Sequence, residues 1–209
     1  MGFASALQPT TLELTGRHVR LVPLCAAHAD ALRAAAADGA LWGLNFTSVP
    51  GPAPGEAEAY IAAAHAQRDA GTALPFAVLD ADGRVVGSTR YYDLDANVPK
   101  LKIGYTWYAA HVQRTALNTE AKRLLLDHAF DALGCASVTF ETSHLNLRSQ
   151  SAIERLGAQR DGVLRAHMRH RDGSLRDTVV YSILPAEWPA LRARLSERLD
   201  IHAGVSSNV

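Results

Sequence analysis

The 209-residue chain carries 21 basic and 21 acidic side chains, so its formal net charge is zero at pH 7. Its 48% hydrophobic and 20% charged residues are typical of a folded globular protein and exclude a disordered or collagen-like chain. The chain has no long basic run, so we expect no nucleic-acid partner.

The first half of the chain predicts two short strands, two helices and then a β-hairpin. Short apolar pieces on either side of Gly16 indicate the strands, and two Ala-rich stretches indicate the helices. The turn residues at 80–83 favour a hairpin between the strands that flank them. The predicted elements are strands within 12–24, helices over 26–37 and 56–70, and strands over 76–79 and 84–94.

The second half predicts a half-buried strand followed by the clearest helix of the sequence. Residues 101–107 alternate apolar with polar or small side chains, which is the period of a strand. From Asn118 to Leu133 the apolar residues recur with helical spacing, and Gly134 favours a stop. The remaining predicted elements are a strand over 137–142, a helix over 146–156, a hairpin of 162–168 with 175–184, and a last helix from 185–188 onward.

This order of elements predicts a single α/β domain with a mixed sheet, spanning 1–209 with a flexible tail after about residue 200. Cys25 and Cys135 stand far apart, which favours neither a disulfide framework nor a zinc cluster and suits a cytoplasmic protein. No apolar stretch is long enough for a membrane span, and the first residues do not form an export signal. We therefore expect no membrane partner.

The most informative segment is the loop over 109–115, between the strand that ends at Tyr108 and the amphipathic helix. The first turn of a helix offers unpaired backbone N–H groups and the positive end of the helix dipole, which together attract phosphate oxygens. A phosphorylated ligand is one interpretation of this segment. The other is an ordinary strand–loop–helix connection that binds nothing.

Three segments of the chain resemble one family. The sequences YTWY at 105–108, QRTALN at 113–118 and NLRS at 146–149 are similar to the acyl-coenzyme A motif and following helix of GNAT N-acyltransferases. The nearest branch contains ribosomal-protein N-terminal (alanine/serine) acetyltransferases, and the likeness extends to about residue 199. It implies a mixed, mostly antiparallel sheet of six to seven strands, with helices on both faces and a splayed central strand pair. It also implies acetyl-CoA as co-substrate and no metal.

The resemblance places the diphosphate of the coenzyme on this loop and the first helical turn. Family loops usually read Q/R-x-x-G-x-G/A, but Ala116 and Asn118 stand at the two small-residue positions. Glycine there allows a positive φ, whereas Ala adds a methyl group and Asn tolerates left-handed geometry. We expect binding with changed contacts, and a degenerate site is the alternative. The residues assigned to coenzyme binding are Tyr108, Gln113, Arg114, Thr115, Ala116, Leu117, Asn118, Thr119 and Asn146.

Asn146 and Ser149 begin the helix that follows the next strand. The resemblance implies that Asn146 contacts the pantetheine arm or the acyl group, although Asn is also a favoured helix N-cap, and both roles can hold. Many family members have a tyrosine acid seven residues later, where this chain has Ile153. Ser149 matches a serine of the ribosomal branch, so we expect its hydroxyl to protonate the departing sulfur directly or through water.

Glu141 is the candidate general base. An amine is protonated near neutral pH, so a base must remove its proton before it attacks a thioester. Glu141 resembles in position the glutamate base of some N-terminal acetyltransferases, and a solvated strand carboxylate is the alternative. Backbone N–H groups near Tyr108 are expected to polarise the thioester carbonyl.

Other polar and aromatic residues favour other roles. The sequence HMRH at 167–170 indicates a solvated patch near a turn, and no metal site is predicted. No serine lies in a G-x-S-x-G elbow, so an esterase has no support. The aromatic candidates for an acceptor pocket are Trp42, Phe46, Tyr91, Tyr92 and Trp107. Core packing is the alternative for these residues, and it is favoured for Trp107.

The sequence therefore predicts an N-acetyltransferase that moves an acetyl group from acetyl-CoA to a primary amine by direct attack. The acceptor is a protein or peptide N-terminus or a small-molecule amine. The donor is acetyl, or a longer acyl group such as succinyl if Arg90 or Arg148 points into the pocket. The alternative is a non-catalytic acyl-CoA-binding sensor, favoured by the absent tyrosine and the changed glycines. A homodimer is a further expectation from the branch.

Overall fold

Eight strands pair into one sheet in a computed structural model that describes residues 11–46 and 48–206. The strands are β1 (Leu14–Thr15), β2 (Val19–Pro23), β3 (Ala73–Asp80), β4 (Val85–Asp95), β5 (Lys100–Tyr108), β6 (Ser137–Ser143), β7 (Gln159–Arg169) and β8 (Leu175–Ile183). Their order across the sheet is β1-β2-β3-β4-β5-β6-β8-β7. The predicted mixed, mostly antiparallel α/β fold is confirmed, with eight strands rather than six or seven because the two-residue β1 adds an edge.

Helices cover both faces of this sheet. They are α1 (Ala29–Ala37), α2 (Glu56–Asp69), α3 (Ala116–Asp127), α4 (Leu147–Leu156) and α5 (Trp188–Ser206). On one face α1 packs on β4 and α2 on β3, and on the other face α3 packs on the sheet and against α5. Under α3 the buried Tyr91 hydroxyl donates to the carbonyl of Leu125 at 2.6 Å, which ties the helix to β4.

The predicted helix over 118–133 differs from α3 at both ends. Helix α3 begins two residues earlier than predicted, at Ala116, because Thr115 caps it. Its regular part ends at Asp127, where the chain continues as a π-helical turn over His128–Ala132. Gly134, with φ 64°, follows this turn, so the helical region stops where predicted.

The parallel strands β5 and β6 separate toward their C-terminal ends. They pair only through residues 100–102 and 137–139, and beyond these the two strands diverge. A bulge in the β4–β5 ladder places residues 105 and 106 opposite Thr89, and Tyr105 there has a φ of 50°. The predicted splayed central pair is confirmed, and it opens a gap beside the start of α3.

The C-terminal helix α5 extends to Ser206 and so includes part of the tail that was expected to be flexible. Residues 207–209 lie outside the described residues, and the flexibility of the tail stays a prediction, as does the single domain over 1–209. In the ranges that the structure describes, no helix has the length and apolar character needed to cross a bilayer.

Candidate active site

The loop after β5 folds back on the end of that strand through Gln113. Its side-chain Nε2 donates to the carbonyl of Tyr108 at 2.7 Å. From the first turn of α4, Arg148 Nη2 donates to Gln113 Oε1 at 2.6 Å. Helix α4 thus brings a guanidinium group to the loop that precedes α3. In the sequence, Arg148 is related only to a longer acyl group, and a separation of 35 residues gives no local sign of its contact with Gln113.

The N-terminus of α3 is capped by Thr115, which was predicted as a coenzyme contact. Its hydroxyl accepts a hydrogen bond from the backbone N–H of Leu117 at 3.3 Å and donates to the carbonyl of Val112 at 2.7 Å. The cap fixes the direction in which the loop enters the helix. Other first-turn N–H groups of a helix have no partner within it, and they carry its positive end.

The left-handed residue of this loop is Arg114, whose φ is 65°. Ala116 and Asn118 lie within regular α3, so the left-handed geometry considered for these two positions is not found there. Ala116 is buried beside a depression of about 200 Å³ that is partly lined by His18 and Asp80. The methyl group of Ala116 therefore fits at the first residue of a regular helix.

The backbone N–H of Tyr108 points into the gap between β5 and β6. The next residue, Ala109, donates its N–H to the carbonyl of Val86 at 2.8 Å. Hydrogen-bonded and non-bonded pairs alternate in an antiparallel ladder, so the pair of Tyr108 with Gly87 is a non-bonded one. The Tyr108 carbonyl, which meets Gln113, and the Tyr108 N–H therefore both face away from β4. Burial raises the pKa of the Tyr108 phenol above its ordinary value.

Asn146 caps α4, at the end of β6 that borders the gap. Its Oδ1 accepts a hydrogen bond from the N–H of Ser149 at 3.1 Å, so the N-cap interpretation is confirmed. The Ser149 side chain is half-buried on the same turn. Ile153, one turn further along α4, is buried in the core. The ligand role of Asn146 and the acid role of Ser149 stay predictions.

Glu141 lies on the face of the sheet opposite α3, where it forms an ion pair. Its Oε1 accepts a hydrogen bond from Lys102 Nζ at 2.6 Å, and the same ammonium group contacts Asp93 Oδ2 at 2.7 Å. The Glu141 side chain is 11% exposed, so it is largely buried rather than freely solvated. Burial opposes the charge of Lys102, but its hydrogen bonds with Asp93 and Glu141 raise its pKa above the ordinary value.

The predicted aromatic candidates divide between the two faces of the sheet. Tyr91 is buried under α3, so core packing is the alternative that holds for it, because strand alternation turns it away from Tyr92. The Tyr92 ring lies edge-on against Tyr105, with ring centroids 5.1 Å apart. Trp107 is buried and its Nε1 donates to the Tyr60 hydroxyl at 3.2 Å, so the core interpretation of Trp107 is confirmed.

His170 is buried, so the predicted solvated patch at 167–170 is wrong for this residue. Its Nε2 lies 2.9 Å from Ser143 Oγ and its Nδ1 lies 3.0 Å from Ser174 Oγ. The turn between β7 and β8 folds over the end of β6 and thereby encloses the imidazole. The two serine contacts supply hydrogen-bond partners to both ring nitrogens of His170.

Comparisons with known proteins agree with this architecture. Residues 18–159 match a family model described as an acetyltransferase (GNAT) domain. The chain is 32% identical over 107 residues to a Bacillus subtilis (strain 168) protein named "Putative ribosomal N-acetyltransferase YdaF". That alignment covers 51% of this chain and 57% of the relative, so the chain matches little more than half of the relative's length.

Solved structures resemble the chain over most of its length. A GCN5-related N-acetyltransferase from Brucella melitensis is 32% identical, with a TM-score of 0.82 over 92% of this chain and 87% of that one. A protein from T. thermophilus is 38% identical, with a TM-score of 0.77 over 90% of this chain and 96% of that one.

Proposed function

Because the chain belongs to the GNAT acetyltransferase family, we propose that it moves an acetyl group from acetyl-CoA to a primary amine. The observation that carries the proposal is the gap between β5 and β6, bordered by the Tyr108 N–H and the start of α3. The acceptor is a protein or peptide N-terminus, in keeping with the name of the B. subtilis relative, or a small-molecule amine. A cytoplasmic location and a homodimer stay predictions.

The residues around the start of α3 suit the diphosphate of the coenzyme. Arg148 brings a guanidinium group to the loop before a helix N-terminus, and Arg114 lies in that loop, a combination that favours phosphate oxygens. Gln113 holds Arg148 and the Tyr108 carbonyl together, so it keeps the loop close to the gap. Acetyl-CoA would supply the activated acyl group there. The residues that we assign to holding it are Tyr108, Gln113, Arg114, Thr115, Ala116, Leu117, Asn118, Thr119, Asn146 and Arg148.

The proposed chemistry is direct attack by the amine. A bond forms between the amine nitrogen and the carbonyl carbon while the bond from that carbon to sulfur breaks. Glu141 accepts the amine proton through water, and Ser149 delivers a proton to the sulfur. The Tyr108 N–H, directed into the gap, stabilises the negative charge that develops on the carbonyl oxygen. Since a backbone group supplies this stabilisation, orientation contributes much of the rate.

Two observations favour a second candidate, a non-catalytic acyl-CoA-binding sensor. Ile153 is buried in the core, and Glu141 is held in an ion pair with Lys102. Measuring free thiol in a mixture of acetyl-CoA and a panel of amines separates the two candidates. Amine-dependent thiol release supports the transferase, whereas tight coenzyme binding without release supports the sensor. Absence of coenzyme binding at millimolar concentration contradicts both.

Replacing Arg148 by Gln is expected to weaken coenzyme binding about tenfold, because a charge-assisted contact to phosphate contributes roughly 1.5–3 kcal/mol before solvent screening. The matched control is Arg155→Gln, an exposed arginine on the same helix α4. Isothermal titration with CoA measures both dissociation constants. Equal constants for the two variants would remove Arg148 from the coenzyme site.

A further inference from the structure

Two arginines on the face opposite α3, Arg90 and Arg176, form no ion pair with any carboxylate that the structure describes. Arg90 is 3% exposed, and its one side-chain hydrogen bond runs from Nη1 to Gln67 Oε1 at 2.9 Å. The Nε atoms of both arginines are buried without a hydrogen-bond partner. Arg176 as a whole is half-buried, whereas Arg90 is buried. Buried charges are normally paired, so these two guanidinium groups require an explanation.

The sheet register places both arginines on the face of the candidate base. Along β4, Arg90 lies on the same side as Tyr92, whose pairing partner is Lys102. Lys102 reaches Glu141 on that face. Along β8, Val180 pairs with Glu141, and Arg176, four residues earlier, has the same orientation by strand alternation. Arg90 and Arg176 therefore approach the gap between β5 and β6 from its two sides.

Tyr105 packs on the guanidinium group of Arg90. The Arg90 guanidinium lies 4.0 Å from the centroid of the Tyr105 ring, which is a cation–π contact. Arg176 belongs to the same face by the register of β8 with β6. Burial lowers the pKa of Arg176, and the charges of Tyr92, Glu141 and Tyr105 oppose this change. Tyr105 is partly exposed and has a positive φ, and strained residues of this kind concentrate at functional sites.

The two carboxylates beside Lys102 are paired. The Lys102 ammonium contacts both Glu141 and Asp93, so each of these carboxylates already has a cationic partner. Arg90 and Arg176 lack an anionic partner of this kind, and a planar guanidinium group binds a carboxylate through two parallel hydrogen bonds. We propose that Arg176, supported by Arg90 beneath Tyr105, forms a carboxylate subsite, so that one of the two substrates carries a carboxylate. This inference rests on the proposed function.

The carboxylate has two possible sources, and the test has one arm for each. In the first arm, kcat/KM with acetyl-CoA is measured for several free α-amino acids and for their carboxamides. In the second arm, acetyl-CoA and succinyl-CoA are compared with one uncharged amine. Arg176→Gln is expected to lower kcat/KM for the carboxylate-bearing substrate about 10- to 100-fold and for its neutral counterpart less than threefold. The ratio of variant to wild type cancels differences in amine basicity.

Two further variants complete the design. Arg165→Gln removes an exposed arginine from the neighbouring strand β7 and should leave every ratio unchanged. Arg176→Lys keeps the charge and should recover part of the preference for the carboxylate. Equal losses for the charged and neutral substrates of both arms, or no loss, would overturn the subsite. If no amine releases thiol from either donor with the wild-type protein, the proposed function fails, and this inference fails with it.

Discussion

Glu141→Gln is expected to lower kcat about 100-fold or more, because positioned general bases contribute on the order of 10²–10⁴-fold to rate. Glutamine keeps the size of the side chain but does not accept the amine proton. Lys102 retains its contact with Asp93, so the fold should survive the change. Steady-state kinetics with the best amine of the panel measure kcat, and calorimetry with CoA should give an unchanged dissociation constant.

Asp93→Asn is the matched control for this experiment. It removes the other carboxylate partner of Lys102 and leaves Glu141 in place, so kcat should fall less than threefold. Equal falls in kcat for Glu141→Gln and Asp93→Asn would mean that the loss of the ion pair with Lys102, and not the loss of a proton acceptor, lowers the rate. A kcat within threefold of the wild type for Glu141→Gln would exclude Glu141 as the base.

Lys122→Met is expected to stabilise the protein near neutral pH. Lys122 is 7% exposed on α3. Its ammonium donates to Thr106 Oγ1 at 2.7 Å. Burial lowers its pKa from 10.5 to about 7. Between these two values the unfolded chain holds the proton that the folded chain has released, so the free energy of unfolding rises with pH in this window. Below about pH 7 the folded protein carries the full cost of a buried charge.

The variant removes this pH dependence. From pH 7.5 to 9.5 the free energy of unfolding of the wild type should rise about 2 kcal/mol more than that of Lys122→Met. Urea unfolding at several pH values measures the difference. Burial raises the pKa of Cys135 to about 12, which opposes the trend at high pH in both proteins and cancels in the comparison.

Lys100→Met provides the reference for this series. Lys100 is exposed and pairs with Asp95 at 3.5 Å, so its removal should leave the shape of the pH profile close to that of the wild type. If the Lys122→Met profile also runs parallel to that of the wild type, Lys122 is protonated in the folded protein throughout this pH range.

The parts of the site that the sequence predicts are those fixed by local patterns. The apolar period of α3 and the N-cap preference of asparagine at 146 depend only on neighbouring residues, and both are found. The predicted gap follows from the family resemblance of the strand before Tyr108 and the helix start at Asn146.

The parts that the sequence misses depend on which distant elements become neighbours. The bond from Arg148 to Gln113 requires α4 to lie beside the loop, and no local pattern specifies that placement. Tyr105 joins the face of Glu141 because a bulge interrupts strand alternation, and a regular period of two does not reveal a bulge. The helical period of α3 does not reveal the burial of Lys122, since this depends on how α3 rotates over β4 and β5.

The short ladder between β5 and β6 has a mechanical consequence. Only three residues on each strand pair β5 with β6, and this pairing joins β1–β5 to the three strands beyond the gap. The sheet therefore consists of two parts that share no backbone pairing at the active-site end. A ligand that spans the gap contacts both parts of the sheet, and it adds contacts between them that the polypeptide does not provide there. The rigidity of the whole sheet is therefore coupled to whether its cleft is filled.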